Sequence, residues 1–233
     1  MQLLRDRAAD AVEEMDLPGC DPARLDRTYA QFALVNRAVS GWRGIYLRQL
    51  RPLLRTGSAG TLLDIGCGGG DVPAMLSRWA ARDGLRLEIT GIDPDPRASR
   101  FAAARHTEAS VAFRQATAAR LVQEGRRYDF VVSNHVLHHL AADELPGFLA
   151  DSAELCRGRV IHNDLRRSAA AYALFFAASW PLTGSYIRKD GLTSIRRSYT
   201  APELSAAAPP GWKVSRHSPF RNLLTLDKSA AGA

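Results

Sequence analysis

The sequence has few cysteines, and nothing in their arrangement indicates a disulfide framework or a structural zinc site. Among 233 residues there are only Cys20, Cys67 and Cys156. Their number is odd, no two form a C-x-x-C pair, and Cys67 lies inside a glycine-rich stretch. These features exclude the small disulfide-rich and zinc-ribbon classes and favour a reducing compartment. We therefore expect a cytoplasmic protein.

The sequence also has no long apolar run. Its most apolar stretch, residues 169–182, is shorter than the roughly 20 residues that a membrane-spanning helix needs. Residues 1–14 mix charged and apolar side chains without a continuous apolar core, which predicts no signal peptide. We expect no integral membrane segment.

No block of like charge stands out, although the chain is basic overall. Its formal net charge is +7 and its sequence pI is about 9.8. Such a charge suits a nucleic acid, an anionic membrane surface or an acidic substrate. The arginines are spread along most of the chain, so we expect no nucleic-acid partner. With 46% hydrophobic and 24% charged residues, the composition is that of a globular protein.

Strand and helix patterns alternate after a helical beginning. Residues 22–55 have helical spacing, and the small residues 56–60 form a linker. The predicted strands are residues 61–65, 86–93, 111–115, 128–133, 159–163, 212–217 and 222–226. The predicted helices between and after them are residues 72–82, 97–105, 143–156, 169–180 and 201–207.

This alternation predicts an α/β protein with a Rossmann-like, seven-stranded, mostly parallel sheet. The last two strands are joined by a short turn at residues 218–220 and must form an antiparallel hairpin. We predict a helical N-terminal cap over residues 1–56. Residues 57–233 form the main domain, with a helical insertion after the fifth strand at residues 165–200.

The first strand leads into a glycine-rich turn, residues 62–71, which read LLDIGCGGGD. Glycine lets a backbone turn sharply and approach a ligand closely, and the next helix presents free N–H groups to that ligand. Asp64 at the strand end can accept hydrogen bonds from an ammonium group. The second strand ends at Asp93, which can hold a ribose diol. A dinucleotide site is the rival, but the spacing is G-x-G-G-G rather than G-x-G-x-x-G.

Three segments together resemble the class I S-adenosylmethionine-dependent methyltransferases. They are residues 63–70, residues 91–94 and residues 128–140, in the order that this family shows. The resemblance implies S-adenosylmethionine as the cofactor. It also implies that Asp64, Gly66 and Gly68 face the methionine part, and that Asp93 and Pro94 hold the ribose. By the same resemblance Thr117 and Ala118 lie beside the adenine, and Asn134 and His135 lie along the cofactor.

The candidate general base is a histidine after the fourth strand. His138 and His139 follow that strand and Asp164 follows the fifth, so all three reach one sheet edge. A carboxylate beside an imidazole orients the ring and stabilises its charged form. His162 is a weaker candidate for the base or for a substrate contact. We expect no metal site, because no carboxylate cluster lies near His135, His138 and His139 in the sequence.

The acceptor pocket is expected between the N-terminal helices and the insertion. Both segments carry aromatic side chains that suit a flat or lipidic acceptor. The predicted substrate contacts are Tyr29, Arg37, His162, Tyr172, Phe176 and Trp180. Residues 27–29, 35–37 and 40–42 also resemble a bacterial methyltransferase subgroup associated with polyketide and phenolic-lipid biosynthesis.

The sequence therefore predicts an enzyme that O-methylates a phenolic, enolic or pyrone-like small molecule of secondary metabolism. One alternative is C-methylation of a quinone ring. RNA methylation is another, but the segment after the fourth strand lacks the Asn/Asp-Pro-Pro-aromatic run of that class. A non-enzymatic binding protein is a further alternative, against which Asp64, Gly66, Gly68 and Asp93 argue. We expect a monomer or a homodimer.

Overall fold

The computed structural model describes residues 4–228, and within them one mixed sheet of seven strands forms the centre. The strand order is β3-β2-β1-β4-β5-β7-β6. Neighbouring strands from β3 to β5 are parallel, whereas β7 pairs antiparallel with both β5 and β6. The strands are β1 Ala59–Ile65, β2 Arg86–Asp93, β3 Val111–Gln115, β4 Tyr128–Asn134, β5 Cys156–Leu165, β6 Lys213–His217 and β7 Arg221–Asp227.

Helices cover both faces of the sheet. Within the described residues they are α1 Pro22–Val39, α2 Trp42–Ile45, α3 Asp71–Arg82, α4 Pro96–Arg105, α5 Ala118–Gln123, α6 Glu144–Leu155, α7 Ala169–Ala178, α8 Ile187–Arg197 and α9 Ala201–Ala207. A π turn, Tyr46–Leu50, extends α2, and short 3-10 turns occupy Glu14–Asp16 and Leu137–His139. No helix of this part of the chain combines the length and the hydropathy needed to cross a bilayer.

The sheet separates two hydrophobic clusters because successive side chains of a strand point to opposite faces. Leu62 belongs to one cluster and Leu63 to the other, and both are fully buried. The first cluster also contains Trp42 and Tyr46, so the segment after α1 packs on the same core as the sheet. Burial of each such large side chain contributes about 1.5–3 kcal/mol.

The fold prediction is confirmed, including the antiparallel end of the sheet. The strand bounds agree to within a few residues, and α9 begins at Thr200 with the capping box that its sequence permits. Two helices were not predicted. The six-residue α5 is too short to show a period, and α8 carries five charged residues and Gly191, which weaken its pattern. Helix α8 forms because Ile187 and Ile195 are buried on one side.

Strand order reverses between β1 and β4, which are neighbours in the sheet although β2 and β3 intervene in the chain. In an open parallel sheet, ligands bind outside the carboxyl ends of the strands at such a point. The segment formed by residues 4–20, α1 and α8 all lie over this edge and line the cavity described below. The division of the chain into a cap, residues 1–56, and a main domain, residues 57–233, stays a prediction.

Candidate active site

The turn after β1 has a backbone shape that needs glycine. Gly66, Gly68 and Gly70 have φ of 70°, 51° and 78°, in the left-handed region that side chains disfavour. A Cβ on Gly66 would lie 2.6 Å from the side chain of Val136. The N–H groups of Gly66 and Cys67 donate to the Ile92 carbonyl, which ties the turn to the end of β2. Open space beside Gly68 leaves room for a ligand.

Asp64 presents a buried carboxylate oxygen at this turn. Its side chain is 1% exposed, and Oδ1 has no hydrogen-bond partner among the described residues. Burial raises the pKa of Asp64 well above its ordinary value, and the nearby Asp71 and Asp93 raise it further. Asp71 is itself held by the Asn36 amide at 3.0 Å. An unpaired acidic group of this kind fits a cationic ligand such as the ammonium of an amino acid.

Asp93 ends β2 and faces the same cavity. Its Oδ2 accepts the Gly68 N–H at 3.0 Å, and its Oδ1 accepts the Asp95 N–H at 2.9 Å. Burial raises the pKa of Asp93, against the effect of these two hydrogen bonds. The carboxylate is therefore fixed in orientation and retains lone pairs for two hydroxyl groups.

One cavity of about 530 Å³ joins this turn to the ends of β4 and β5. Ten of the predicted site residues line it. They are Tyr29, Asp64, Gly66, Gly68, Asp93, Pro94, Asn134, His135, His138 and His139.

His138 and Asp164 form a buried pair at the far end of the cavity. His138 lies on the 3-10 turn after β4, and Asp164 lies near the end of the adjacent β5. Asp164 Oδ1 lies 2.7 Å from His138 Nδ1, and Oδ2 accepts the His138 backbone N–H at 2.8 Å. Both carboxylate oxygens thus hold the same residue, so the imidazole cannot rotate away. The strand order predicted that Asp164 lies near His138 and His139, without deciding between the two histidines.

The opposite ring nitrogen of His138 faces Glu13. The distance between Nε2 and Glu13 Oε1 is 3.5 Å, and Nε2 has no hydrogen-bond partner in the described chain. Burial lowers the pKa of His138, but Asp164 and Glu13 outweigh it and raise the pKa to about 9. Burial opposes ionisation of Asp164, yet His138 holds the pKa of Asp164 below its ordinary value. The resting pair therefore carries a proton on the imidazole at neutral pH.

His139 and His135 have different surroundings. His139 has a side chain that is 32% exposed, with Nδ1 3.2 Å from Asp16 Oδ2. His135 adopts φ 62° and forms a hydrogen bond to the Arg221 guanidinium. Burial and the Arg221 charge hold the pKa of His135 well below its ordinary value. His138, held by a carboxylate and facing the cavity, is the best placed of the three to act as a base.

The structure corrects the prediction that His162 acts as the base or contacts the substrate. Its side chain is fully buried within β5, where Nδ1 lies 2.8 Å from Ser133 Oγ. The ring stacks on Trp212 at 5.5 Å between centroids, and burial lowers its pKa to about 3. His162 lies on the same face of β5 as Asp164 but two residues further from the carboxyl end of the strand, where Phe148 and Trp212 enclose it, and it does not line the cavity.

Other predicted contacts also lie outside the cavity. Thr117 is exposed and caps α5 by accepting the Arg120 N–H, and neither it nor Ala118 lines the cavity. Among the predicted acceptor contacts, Arg37 is exposed and Tyr172 is partly buried elsewhere. Phe176 and Trp180 are 50% and 69% exposed and lie under the Arg188 guanidinium.

The sequence analysis missed several residues that the fold brings to the acceptor end. Phe175, rather than Phe176, faces the cavity, because the α7 residues turn about 100° per position. The others are Glu13, Asp190, Ser194 and Arg221. A helical period over residues 187–197 would have placed Asp190 and Ser194 on one face, but no sequence signal brings Glu13 or Arg221 to this site.

The reason given for expecting no metal needs correction. Glu13 supplies a carboxylate near His138 and His139, and ligand atoms of the three lie within 4.8 Å of one another. However, the Arg197 guanidinium lies 3.8 Å from the same Glu13 oxygen. A fixed positive charge at that distance opposes binding of a cation. That this group of residues binds no metal ion stays a prediction, and the positive charge of Arg197 is now the reason for it.

Comparisons with known sequences fit this geometry. A family described as a methyltransferase domain matches residues 62–159, from β1 into β5. The ubiquinone biosynthesis O-methyltransferase of Methylobacterium sp. (strain 4-46) is 28% identical over 193 residues, covering 73% of this chain and 74% of that relative. The protein of the same name from Azorhizobium caulinodans is 36% identical over 133 residues, covering 54% of this chain and 47% of the relative. The chain thus spans about half of this second relative.

Solved structures share the fold. The plantazolicin methyltransferase BpumL in complex with SAH gives a TM-score of 0.61 at 14% identity, covering 88% of this chain and 95% of that one. Human N-acetylserotonin methyltransferase in complex with SAM gives 0.62 at 13% identity, covering 89% of this chain and 56% of that one. The glycine turn and Asp93 lie inside the matched family region, at the edge of the sheet where this fold binds its ligand. The chain therefore contains a methyltransferase domain over residues 62–159 and has the fold of methyltransferases solved with S-adenosylmethionine or its product SAH.

Proposed function

We propose that this methyltransferase modifies a hydroxyl oxygen of a small phenolic or enolic acceptor, with His138 as the general base and Asp164 as its orienting partner. The observation that carries the proposal is the 2.7 Å contact between His138 Nδ1 and Asp164, on a residue that lines the cavity and whose Nε2 has no hydrogen-bond partner in the described chain. A base held in this way contributes about 10²–10⁴-fold to a reaction that removes a proton.

The cofactor is held at the turn after β1 in this proposal. Asp64, through its unpaired Oδ1, would hold the ammonium group, and Asp93 would hold the ribose hydroxyls. Gly66 and Gly68 let the backbone approach the methionine part. When bound, S-adenosylmethionine supplies an electrophilic methyl group on a positively charged sulfur.

At the acceptor end, the chain's own residues manage one proton. Asp164 accepts from Nδ1–H and so leaves the Nε2 lone pair of the neutral ring for the acceptor hydroxyl. The acceptor oxygen gives its proton to Nε2, which would leave that oxygen free to take the methyl group that bound S-adenosylmethionine supplies. Asp164 stabilises the resulting imidazolium until the proton returns to water.

The walls of this end support an apolar, planar acceptor. Phe175, Ile187, Ile195 and Leu140 line the cavity and restrict water around the reacting oxygen. The names of the relatives support O-methylation, since both are ubiquinone biosynthesis O-methyltransferases. Within this class, a pyrone or phenolic lipid of polyketide origin remains the acceptor that the sequence favours.

The test is a methyl-labelled assay against phenols, alkylpyrones, quinols and tRNA, with NMR of the product. We expect a labelled aryl or enol methyl ether. A carbon-bound methyl group or label on tRNA would contradict the proposal. Cofactor affinity measured by calorimetry in the same preparation separates a wrong acceptor from a protein that does not bind S-adenosylmethionine.

A further inference from the structure

The segment formed by residues 4–20 precedes the matched family region, yet it forms part of the cavity wall. It is fixed at both ends of the cavity. The N–H groups of Glu14 and Met15 donate to the Asp190 carboxylate of α8 at 2.8 and 3.0 Å. On the cofactor side, the Arg97 guanidinium donates to the carbonyls of Met15 and Leu17, both at 3.2 Å. The segment thus bridges the cofactor end and the acceptor end.

Between these attachments, Glu13 is the side chain directed at the base. It is only 2% exposed, and Oε1 accepts a hydrogen bond from Ser194 Oγ at 2.8 Å. The Arg197 guanidinium lies 3.8 Å from the same oxygen. A buried carboxylate is costly unless it is paired and hydrogen-bonded. The hydrogen bond from Ser194, together with the nearby charges of Arg197 and His138, meets that requirement.

His138 is therefore flanked by carboxylates at both ring nitrogens. Asp164 holds Nδ1 at 2.7 Å, and Glu13 lies 3.5 Å from Nε2. The second distance is longer than a good hydrogen bond, so Nε2 has a charged neighbour without being tied to it. An acceptor oxygen that reaches Nε2 must enter beside Glu13.

We propose that Glu13 is a positioning residue of the catalytic centre: its carboxylate lies beside Nε2 of the His138 ring and stabilises the imidazolium formed in the reaction. This inference rests on the proposed function of His138 as the base. The proton balance is unchanged, since Glu13 neither takes nor gives the transferred proton. The residue acts on the reaction only through His138.

The charges around His138 favour this role. Its two nearest charged neighbours are the carboxylates of Asp164 and Glu13, and a charge at such distances shifts a histidine pKa by about one unit or more. The other titratable and charged groups facing this centre are Arg7, Asp16, His135 and His139, Arg197 on α8, and Arg221 on β7.

Glu13→Gln removes one charge and keeps nearly the same shape. We expect the pKa of His138 to fall by about one unit, because an anion near an imidazole favours its charged form. The acidic limb of the kcat profile should move to lower pH by a similar amount. The affinity for S-adenosylmethionine should stay within about twofold. Glu14→Gln is the matched control, because Glu14 pairs with Lys189 away from the base and should shift neither quantity.

The experiment measures His138 by NMR in ¹⁵N-labelled protein, with His138→Ala to assign the signal, and measures kcat from pH 6 to about 10. An unchanged titration and profile in Glu13→Gln would overturn the inference, whatever the loss of turnover. If that variant does not fold, Ser194→Ala replaces it. Loss of the hydrogen bond from Ser194 frees the Glu13 carboxylate and should lower the pKa of His138 by a few tenths of a unit or more. An unchanged pKa of His138 would overturn the inference.

Failure of this inference and of the proposed function are distinguishable. If the pKa of His138 falls in Glu13→Gln but His138→Ala keeps full turnover, His138 is not the base. The catalytic role of Glu13 would then be wrong as well. If His138→Ala loses turnover but the pKa of His138 does not change in Glu13→Gln, the assignment of His138 as the base holds and only the role of Glu13 is wrong. Glu13→Asp should restore the profile partly, because it keeps the charge.

Discussion

The cofactor end and the acceptor end of the cavity are assembled from different ranges of the chain. At the cofactor end, Asp64 and Asp93 come from two adjacent parallel strands, and the turn between β1 and α3 supplies the backbone groups. At the acceptor end, Glu13, His138 and Asp164 come from three segments that are distant in sequence. Both ends depend on the same sheet edge, but only the acceptor end has a residue of segment 4–20, Glu13, beside the proposed base.

This difference separates binding from chemistry. Removing a polar group at the cofactor end should weaken cofactor binding while leaving the base in place. Removing a group at the acceptor end should slow the reaction while leaving cofactor affinity intact. Each variant below is chosen so that one of these two measurements changes and the other stays constant.

The largest effect is expected for His138→Ala. Loss of the general base should lower kcat by about 10²–10⁴-fold, with the dissociation constant of S-adenosylmethionine within about threefold of the wild type. Steady-state kinetics and calorimetry provide the two values. His139→Ala is the control and should lose far less, because its side chain is partly exposed and has no contact with Asp164. Equal losses in the two variants would contradict the assignment.

Asp93→Ala should act at the other end. A hydrogen bond to a charged group is worth about 1.5–3 kcal/mol, so the dissociation constant of S-adenosylmethionine should rise about tenfold to a hundredfold. At saturating cofactor, kcat should change much less. Glu88→Ala, on the exposed side of the same strand, controls for damage to β2. An unaltered affinity in Asp93→Ala would remove Asp93 from the cofactor site.

The pH dependence of kcat should show the same separation in the unaltered enzyme. The folded-state pKa of His138 is raised to about 9, so the ring is charged at pH 7 and becomes a competent base as pH rises through that value. Between pH 7 and 8 its neutral fraction, and with it kcat, should increase about tenfold. Cofactor affinity should be nearly flat over this interval. A rate that is constant from pH 7 to 9 would argue against His138 as the base.

The linked effect on stability has the opposite sign. A histidine with a raised folded-state pKa stabilises the fold fully below its unfolded value of about 6.5 and loses that contribution as pH rises through about 9. The wild type should therefore lose more unfolding free energy between pH 6.5 and 9 than His138→Ala. Urea unfolding at several pH values measures this. Parallel losses in the two proteins would mean that the pair does not stabilise the fold.

The smallest effect is expected on helix α7. Phe175→Ala should raise the KM for the acceptor several-fold, because Phe175 lines the cavity and contributes apolar area there. Trp180→Ala should leave KM within about twofold, since Trp180 is 69% exposed and lies outside this cavity. Steady-state kinetics with the acceptor substrate give the KM of both variants. A larger effect at Trp180 would mean that the acceptor extends beyond the cavity.

The sequence predicted the glycine turn and the acidic strand ends well because their signals are local. The left-handed glycines need particular residue types at consecutive positions, and Asp93 is recognised by its place at a strand end. Strand order alone also predicted that Asp164 lies near His138 and His139, but it did not decide which of the two histidines Asp164 holds. The contact of Thr117 and Ala118 with adenine was expected only from resemblance, and the structure uses Thr117 to cap α5.

The acceptor end was predicted poorly because side-chain direction and distant contacts decide it. His162 lies two residues before Asp164 on the same face of β5, yet the packing of Phe148 and Trp212 encloses it in the core. Phe176 and Phe175 are adjacent, and the rotation of α7 determines which one lines the cavity. Glu13 has no local signal, since the residues that hold it, Ser194 and Arg197, are about 180 positions away.

The sequence by itself determined the alternating strands and helices, the glycine turn and the acidic strand ends, because hydrophobic period and backbone shape are properties of neighbouring residues. Tertiary structure alone decided that residues 4–20 cross the cavity and that Glu13 meets His138. It also made Asp164 the partner of a charged ring rather than an exposed acid. Burial and distance set these electrostatic properties, and both arise only when distant segments pack together.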